Sequence, residues 1–259
     1  MSERSNKSIA NSLETNERLL PHMPFLLQDL WVLGSSIEEI IKLIGEFELP
    51  SDKTKLLDFG CGKGGVSIQI AAKYGFKVVG IDAMKPFLEE ANKKAHQYNV
   101  SHLCEFIEQD IFDYVSVEHD YDIVILAAVG GVFGSFKNTV AQLRTQVRSG
   151  GYMVIDDGYL KIGKSLSRKG YGHYRNHEDT IRELTFYDDK LLREINTNEL
   201  SSQINYEYHH LIEKRGKELI VLYPELEKEI KSYIDLQAEE CDVLKNQIEG
   251  AVWLLQKGS

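Results

Sequence analysis

Leu56-Leu57-Asp58-Phe59-Gly60-Cys61-Gly62-Lys63-Gly64-Gly65 decides the fold of this chain. An apolar run ends in a carboxylate and passes into four glycines within six positions. That pattern reads as a buried strand, a glycine turn and a helix, the setting in which a nucleotide or nucleoside lies against exposed backbone N–H groups. Gly60, Gly62 and Gly65 also satisfy the dinucleotide spacing, so the glycines alone do not choose a ligand. Asp58 narrows the choice. A carboxylate at a buried strand end needs compensation and would repel a pyrophosphate laid over the turn, whereas an ammonium group would satisfy it.

Outward from this turn, strand-like runs near 55–59, 77–81, 103–108, 121–127 and 151–156 alternate with helical patterns over 64–74, 86–98 and 136–147. Such alternation predicts an α/β fold: a Rossmann-like, mostly parallel, doubly wound sheet with helices on both faces. Ligands of such sheets bind outside the carboxyl ends of the strands. Two further acids fall there. Asp82 ends the second run, 24 residues after Asp58, near the offset at which a carboxylate takes ribose hydroxyls. Asp110 follows the third run, where it could accept from an exocyclic amine while Ile111 packs on a purine. Each piece also has a plainer reading: turn glycines that permit tight packing, Asp82 as a cap for the helix at Pro86, Asp110 as a turn residue. Taken jointly, adenosine with a cationic amino-acid tail fits all three acids.

In these residues the chain resembles the class I S-adenosylmethionine-dependent methyltransferases, whose first motif is similar to acid-x-Gly-x-Gly-x-Gly. Asp58, Gly60, Gly62 and Gly64 stand in that register, and the resemblance covers about residues 53 to 157. It implies S-adenosylmethionine as cofactor. By it Asp58 and the turn, Cys61 included, approach the methionine end, Asp82 with Ala83 the ribose, and Asp110 with Ile111 the adenine. Ala127 and Ala128, ending the fourth strand, would line the cofactor. Gln28 and Trp31 are expected near it too, because segments preceding the first strand often close this family's sites. After the fourth strand the chain reads Ala127-Ala128-Val129-Gly130-Gly131, without the Asn/Asp-Pro-Pro-aromatic sequence of members acting on planar amides or base amines. A small-molecule acceptor is therefore expected. The rival is a nicotinamide-dependent oxidoreductase on the same glycines, against which stand Asp58 and the lack of a Tyr-x-x-x-Lys pair; a non-catalytic cofactor-binding protein is a third reading.

Asp156 and Asp157 end the fifth strand at the ligand edge, with Tyr159 after them, and these three are the candidates for acceptor positioning or proton removal; a solvated turn is the alternative. His22 could reach the same cleft, although a lone His is more often structural. Residues 161–175 carry Lys161, Lys164, Arg168, Lys169 and Arg175 without an acid, a local positive field that could draw an anionic acceptor or form a solvated loop. His173 and His177 are four apart, but Gly172 weakens a helix there, and no metal is expected.

The rest sets boundaries. Residues 1–50 are expected as a polar tail (to about 17) and a helical lid joined near Gly34, 51–160 as the cofactor-binding domain, and 161–259 as a flexible loop, a helical cap broken at Pro224 and final strands. The C-terminal helices could cap the site or form a homodimer surface. With 42% hydrophobic and 27% charged residues among 259, the chain can bury a sizeable core. Its net charge of −10 repels phosphate backbones, so no nucleic-acid partner is expected. Its longest apolar run, Ile123 to Val129, is too short for a bilayer. Three dispersed cysteines and a polar N-terminus suggest a cytoplasmic protein.

Overall fold

The alternating runs fold into one seven-stranded sheet in a computed structural model that describes residues 3–47, 49–166, 168 and 170–258. In chain order, helices α1 (Glu3–Ser12), α2 (Met23–Leu26) and α3 (Ile37–Gly45) precede β1 (Lys55–Phe59). Then come α4 (Gly65–Tyr74), β2 (Lys77–Asp82), α5 (Lys85–Gln97), β3 (Cys104–Glu108), α6 (Ile111–Tyr114), β4 (Tyr121–Ala127), α7 (Phe136–Arg144) and β5 (Val147–Leu160). The chain closes with α8 (His177–Leu184), β6 (Lys190–Asn196), α9 (Asn198–Leu222), α10 (Glu227–Gln247) and β7 (Ile248–Gln256). The spatial order is β3-β2-β1-β4-β5-β7-β6, with β7 antiparallel to both neighbours and the other pairs parallel. The winding reverses between β1 and β4, which opens a crevice at their carboxyl ends.

The central strands are apolar at consecutive positions because both faces are covered. Leu56, Ile123, Ile125 and Val154 pack with Ile40, Ile44 and Ile68 of α3 and α4. The intervening Leu57, Val124, Leu126 and Ile155 pack with Phe136, Val140 and Leu143 of α7. A third apolar cluster lies off the sheet, joining Ile9, Leu19, Met23 and Leu26 of the N-terminal segment to Ile212, Leu219 and Ile230 of α9 and α10 and to Met84 and Phe87 at the start of α5.

Three elements depart from the sequence expectation. Residues 3–12, expected in a polar tail, form α1, with Ile9 and Ala10 buried in the third cluster; so few apolar residues give no helical signature until their partners are known. The fifth strand, expected over 151–156, runs to Leu160 because β7 pairs with it from Tyr152 through Leu160. Helix α7 stops at Arg144, where Val147 joins the sheet beside Tyr121. The break at Pro224 is observed, as a single 3-10 turn between α9 and α10. No helix among the described residues is long and apolar enough to cross a membrane.

Candidate active site

The turn after β1 is held open by its backbone. Gly60 and Gly62 have φ of +66° and +53°, and a side chain at Gly60 would meet Val129 Cγ2 at 2.7 Å. These glycines face a cavity of about 700 Å³ at the carboxyl edge of the sheet. The three strand-end acids, Asp58, Asp82 and Asp110, all line it. Each is fixed differently. Asp58 is buried and accepts from Ser67 Oγ of α4 at 2.6 Å; burial pushes its carboxyl up to about 7, with the nearby Asp82 charge raising it further and the Ser67 hydrogen bond opposing. Asp82 accepts from the backbone N–H groups of Gly62 (2.9 Å) and Met84 (2.7 Å). Its carboxyl is also raised by burial, and those backbone donors pull it back. Asp110 caps α6 by accepting from Phe112 N at 2.9 Å, so its capping and its place on the cavity wall coexist.

Cys61, Ala83, Ile111, Ala127 and Ala128 line the same cavity, as does Trp31, whose indole Nε1 donates to the Lys63 carbonyl at 3.1 Å. Gln28 does not: it is exposed on the outer side of its segment. Gly64 is also off the cavity, its Cα turned toward Ala91 and Phe106 where it caps α4. The segment bearing Trp31 is tied down by Lys63, whose side chain is wholly buried, donating from Nζ to the Leu27 carbonyl at 2.7 Å and pairing with Glu90 at 2.9 Å.

Of the three acceptor-side candidates, Asp156 and Asp157 line the cavity and Tyr159 does not. Tyr159 lies on the same face of β5 as Asp157, two positions further on, and packs with the second cluster, edge-on to His177 at 4.6 Å. Asp156 is committed elsewhere: it accepts from Ser36 N (2.5 Å) and Ser36 Oγ (3.1 Å), anchoring the start of α3 to β5. Burial pushes its carboxyl up to about 7 against those two hydrogen bonds, with Asp157 and Glu39 raising it further. Asp157 is the acid left facing inward, with His173 Nε2 at 3.4 Å.

His173 was legible only as a partner for His177, and the structure separates the two. His177 starts α8 and pairs with Glu194 at 2.9 Å, while His173 lines the cavity beside Asp157. The loop path from Leu160, bridged back at Asn176, makes that approach, and no spacing rule encodes it. The basic segment also differs from expectation. Arg168 is ion-paired with Glu14 and with Glu239 (3.3 Å), Arg175 with Glu183 (3.6 Å), and Lys161 donates to the Lys245 carbonyl, so these cations do not face the cavity; Lys169 lies outside the described residues. Nor is the loop solvated throughout, since Tyr171, His173 and Tyr174 are buried. His22 packs edge-on to Tyr223 at 4.5 Å and does not line the cavity. Helices α9 and α10 cover this end, contributing Tyr208, Tyr233, Gln237 and Glu240.

This fold has counterparts among known proteins. The family model described as a methyltransferase domain matches residues 50–253, most of the chain. The chain belongs to the class I S-adenosylmethionine-dependent methyltransferase family. Among curated relatives of this methyltransferase-family chain, uncharacterized protein YjhP of Escherichia coli is 28% identical over 124 residues, 48% of this chain and 50% of that protein. The ubiquinone biosynthesis O-methyltransferase of Rickettsia akari is 29% identical over 120 residues, 46% of each chain. The matched part thus spans about half the length of these relatives. A solved methyltransferase of Geobacter sulfurreducens in complex with S-adenosylhomocysteine superposes with a TM-score of 0.77 at 16% identity, over 90% of this chain and 96% of that one, a likeness of fold.

Proposed function

We propose that this chain is an S-adenosylmethionine-dependent methyltransferase that acts on a small molecule. The observation that carries the reading is the convergence of Asp58, Asp82 and Asp110 on one cavity beside a turn whose Gly60 and Gly62 leave the backbone open. The cavity suits a cationic nucleoside. Seven carboxylates line it, and Lys63, the sole Lys or Arg among its described lining residues, has its ammonium buried away. A pyrophosphate would meet uncompensated negative charge here. S-adenosylmethionine, when bound, supplies an electrophilic sulfonium methyl.

In this reading Asp82 takes the ribose diol, its two oxygens already aimed by the Gly62 and Met84 amides. Asp58 faces the ammonium end, and Asp110 with Ile111 holds the base. The chain's remaining task is to orient the acceptor and exclude water, which in general can lower a barrier by about 7 to 11 kcal/mol. The Trp31 segment and the α9–α10 pair enclose the cavity for that purpose. Asp157 is the proposed acid at the acceptor end, and Asp156 holds α3 in place. A relative is named an O-methyltransferase, in keeping with a small acceptor.

Calorimetry tests the cofactor. S-adenosylmethionine and S-adenosylhomocysteine should bind and NADH should not. Asp82→Ala should weaken binding by about 1 to 3 kcal/mol through loss of charge-assisted hydrogen bonds. Selective NADH binding, or unchanged affinity in a folded Asp82→Ala protein, overturns the assignment.

A further inference from the structure

His173 is 6% exposed, and neither ring nitrogen has a hydrogen-bond partner among the described residues. A buried polar group left in this way costs stability and asks for a partner. The ring sits at the cavity wall, with its Nε2 at 3.4 Å from Asp157 Oδ2. It is packed against Tyr174 at 4.0 Å between centroids and edge-on to Phe136 of α7 at 5.9 Å. Below it lies the chain leaving β4: a Cβ at Gly131 would come within 2.2 Å of His173 Nδ1, so only glycine admits the ring. Asp157 in turn is bonded by the Tyr174 hydroxyl. His209 also lines the cavity, but of the two only His173 has a carboxylate within 4.0 Å among the described residues.

We infer that His173, oriented by Asp157, is the catalytic base of this site, and that the acceptor it serves is an uncharged hydroxyl compound. The inference rests on the methyltransferase reading above. Carboxylate-poised imidazoles are often loosely spaced before substrate arrives and tighten with it, as the 3.4 Å separation here would. The charge of the cavity selects the acceptor. Among seven lining carboxylates and with no described lining cation directed inward, a carboxylate or phosphate acceptor would be repelled. An amine would be held as its ammonium form, without the lone pair that attack requires. A free oxyanion would be disfavoured for the same reason, so a hydroxyl must lose its proton in the step that forms the new bond. The acceptor O–H proton passes to a His173 ring nitrogen, the oxygen pair forms the C–O bond to the methyl carbon, and the C–S pair leaves with sulfur as a neutral thioether. The imidazolium so formed faces Asp157, and its proton then returns to water.

The titratable groups around His173 are Asp156 and Asp157 on β5 and Tyr171 and Tyr174 on its own loop, with Glu240 of α10, Glu14 and Arg168 beyond Tyr171. Helix α7 presents Phe136 and Thr139, and the β4 loop presents Val129, Gly130 and Gly131, none of which titrates. A base acts when unprotonated, so rate should rise with pH; because burial also pushes the neighbouring Asp156 carboxyl up to about 7, the variants below assign that rise to His173.

The test uses the full chain, tritiated-methyl S-adenosylmethionine and a deproteinised cell extract, with products sorted by chemistry. Label should appear in base-stable neutral ethers. Base-labile methyl esters, label retained on a cation exchanger as methylated amines, or no label at all while the cofactor binds, each overturns the inference; failure to bind the cofactor sinks instead the function on which it rests. His173→Asn should keep S-adenosylhomocysteine affinity while kcat falls about 10² to 10⁴-fold and loses its rise with pH. Free imidazole should partly restore His173→Ala. Apart from turnover, the ring-nitrogen resonances of His173, followed by NMR with S-adenosylhomocysteine bound, should move in Asp157→Asn relative to the parent, because the contact at 3.4 Å is lost. Unmoved resonances, or full activity in His173→Asn, refute the assignment.

Discussion

Burial holds the Asp58 carboxyl near 7 in the free protein, so at slightly acid pH it carries a proton there. An ammonium-bearing ligand binds the ionised form, and this fixes the sign of a pH effect. Affinity for S-adenosylmethionine should tighten as pH rises toward 7, by up to about tenfold per unit. It should level off above that, then weaken beyond about 8 as the ligand's own amine deprotonates. Calorimetry between acid and mildly alkaline pH should also register proton release on binding below neutrality, and Asp58→Asn should flatten the curve. Asp58, Asp82 and Asp110 were legible in the sequence because each closes an apolar run, and a strand end is a fixed place in such a sheet. His173 was not. Its meaning depends on Asp157, sixteen positions back along the chain, and on a loop whose path no periodicity encodes. Tyr159 lies off the cavity for a different reason: it shares a strand face with Asp157, but two positions further along β5 it packs against His177 and Trp253 beyond the cavity's edge.

At the level of elements, the strap over the glycine turn depends on one buried ammonium. Lys63 joins the Leu27 carbonyl and Glu90, and the Lys63 carbonyl receives the Trp31 indole, so a residue of the turn secures the segment above it. Lys63→Met should keep the volume and lose the tether, leaving the carbonyl without its donor. Stability should fall by about 1 to 3 kcal/mol in urea titrations. Because Trp253 is fully buried in the sheet, the accompanying red shift in emission would report Trp31 alone. The five parallel strands and their helices could be read from alternation, since each carries its own hydrophobic period. Helix α1 could not, because Ile9 and Ala10, its described buried residues, give no period without the partners they pack against. The length of β5 beyond Asp156 was likewise hidden, because it is set by pairing with β7, about ninety positions later.

Across the whole molecule, the cavity floor comes from the sheet and its cover from both ends of the chain: α1 and the Trp31 segment on one side, α9 and α10 on the other, joined in a single apolar cluster. A ligand beneath that cover should stabilise it as a unit. Saturating S-adenosylhomocysteine at about a hundred times its Kd adds about 2.7 kcal/mol, which for a chain of this size raises Tm by about 5 to 10 °C. Hydrogen exchange should slow in α1, α9 and α10 together; protection confined to the β1 turn would show that the cover does not respond.

The position of β7 has a consequence for assembly. It is wedged between β5 and β6, antiparallel to both, yet it follows β6 in the chain. During synthesis β6 therefore emerges before the only neighbour that can receive it, and must wait through some fifty residues of α-helical hairpin for its docking partner. Until that wedge arrives, the nascent protein carries two raw strand borders with a gap between them, the moment at which it is most open to mispairing.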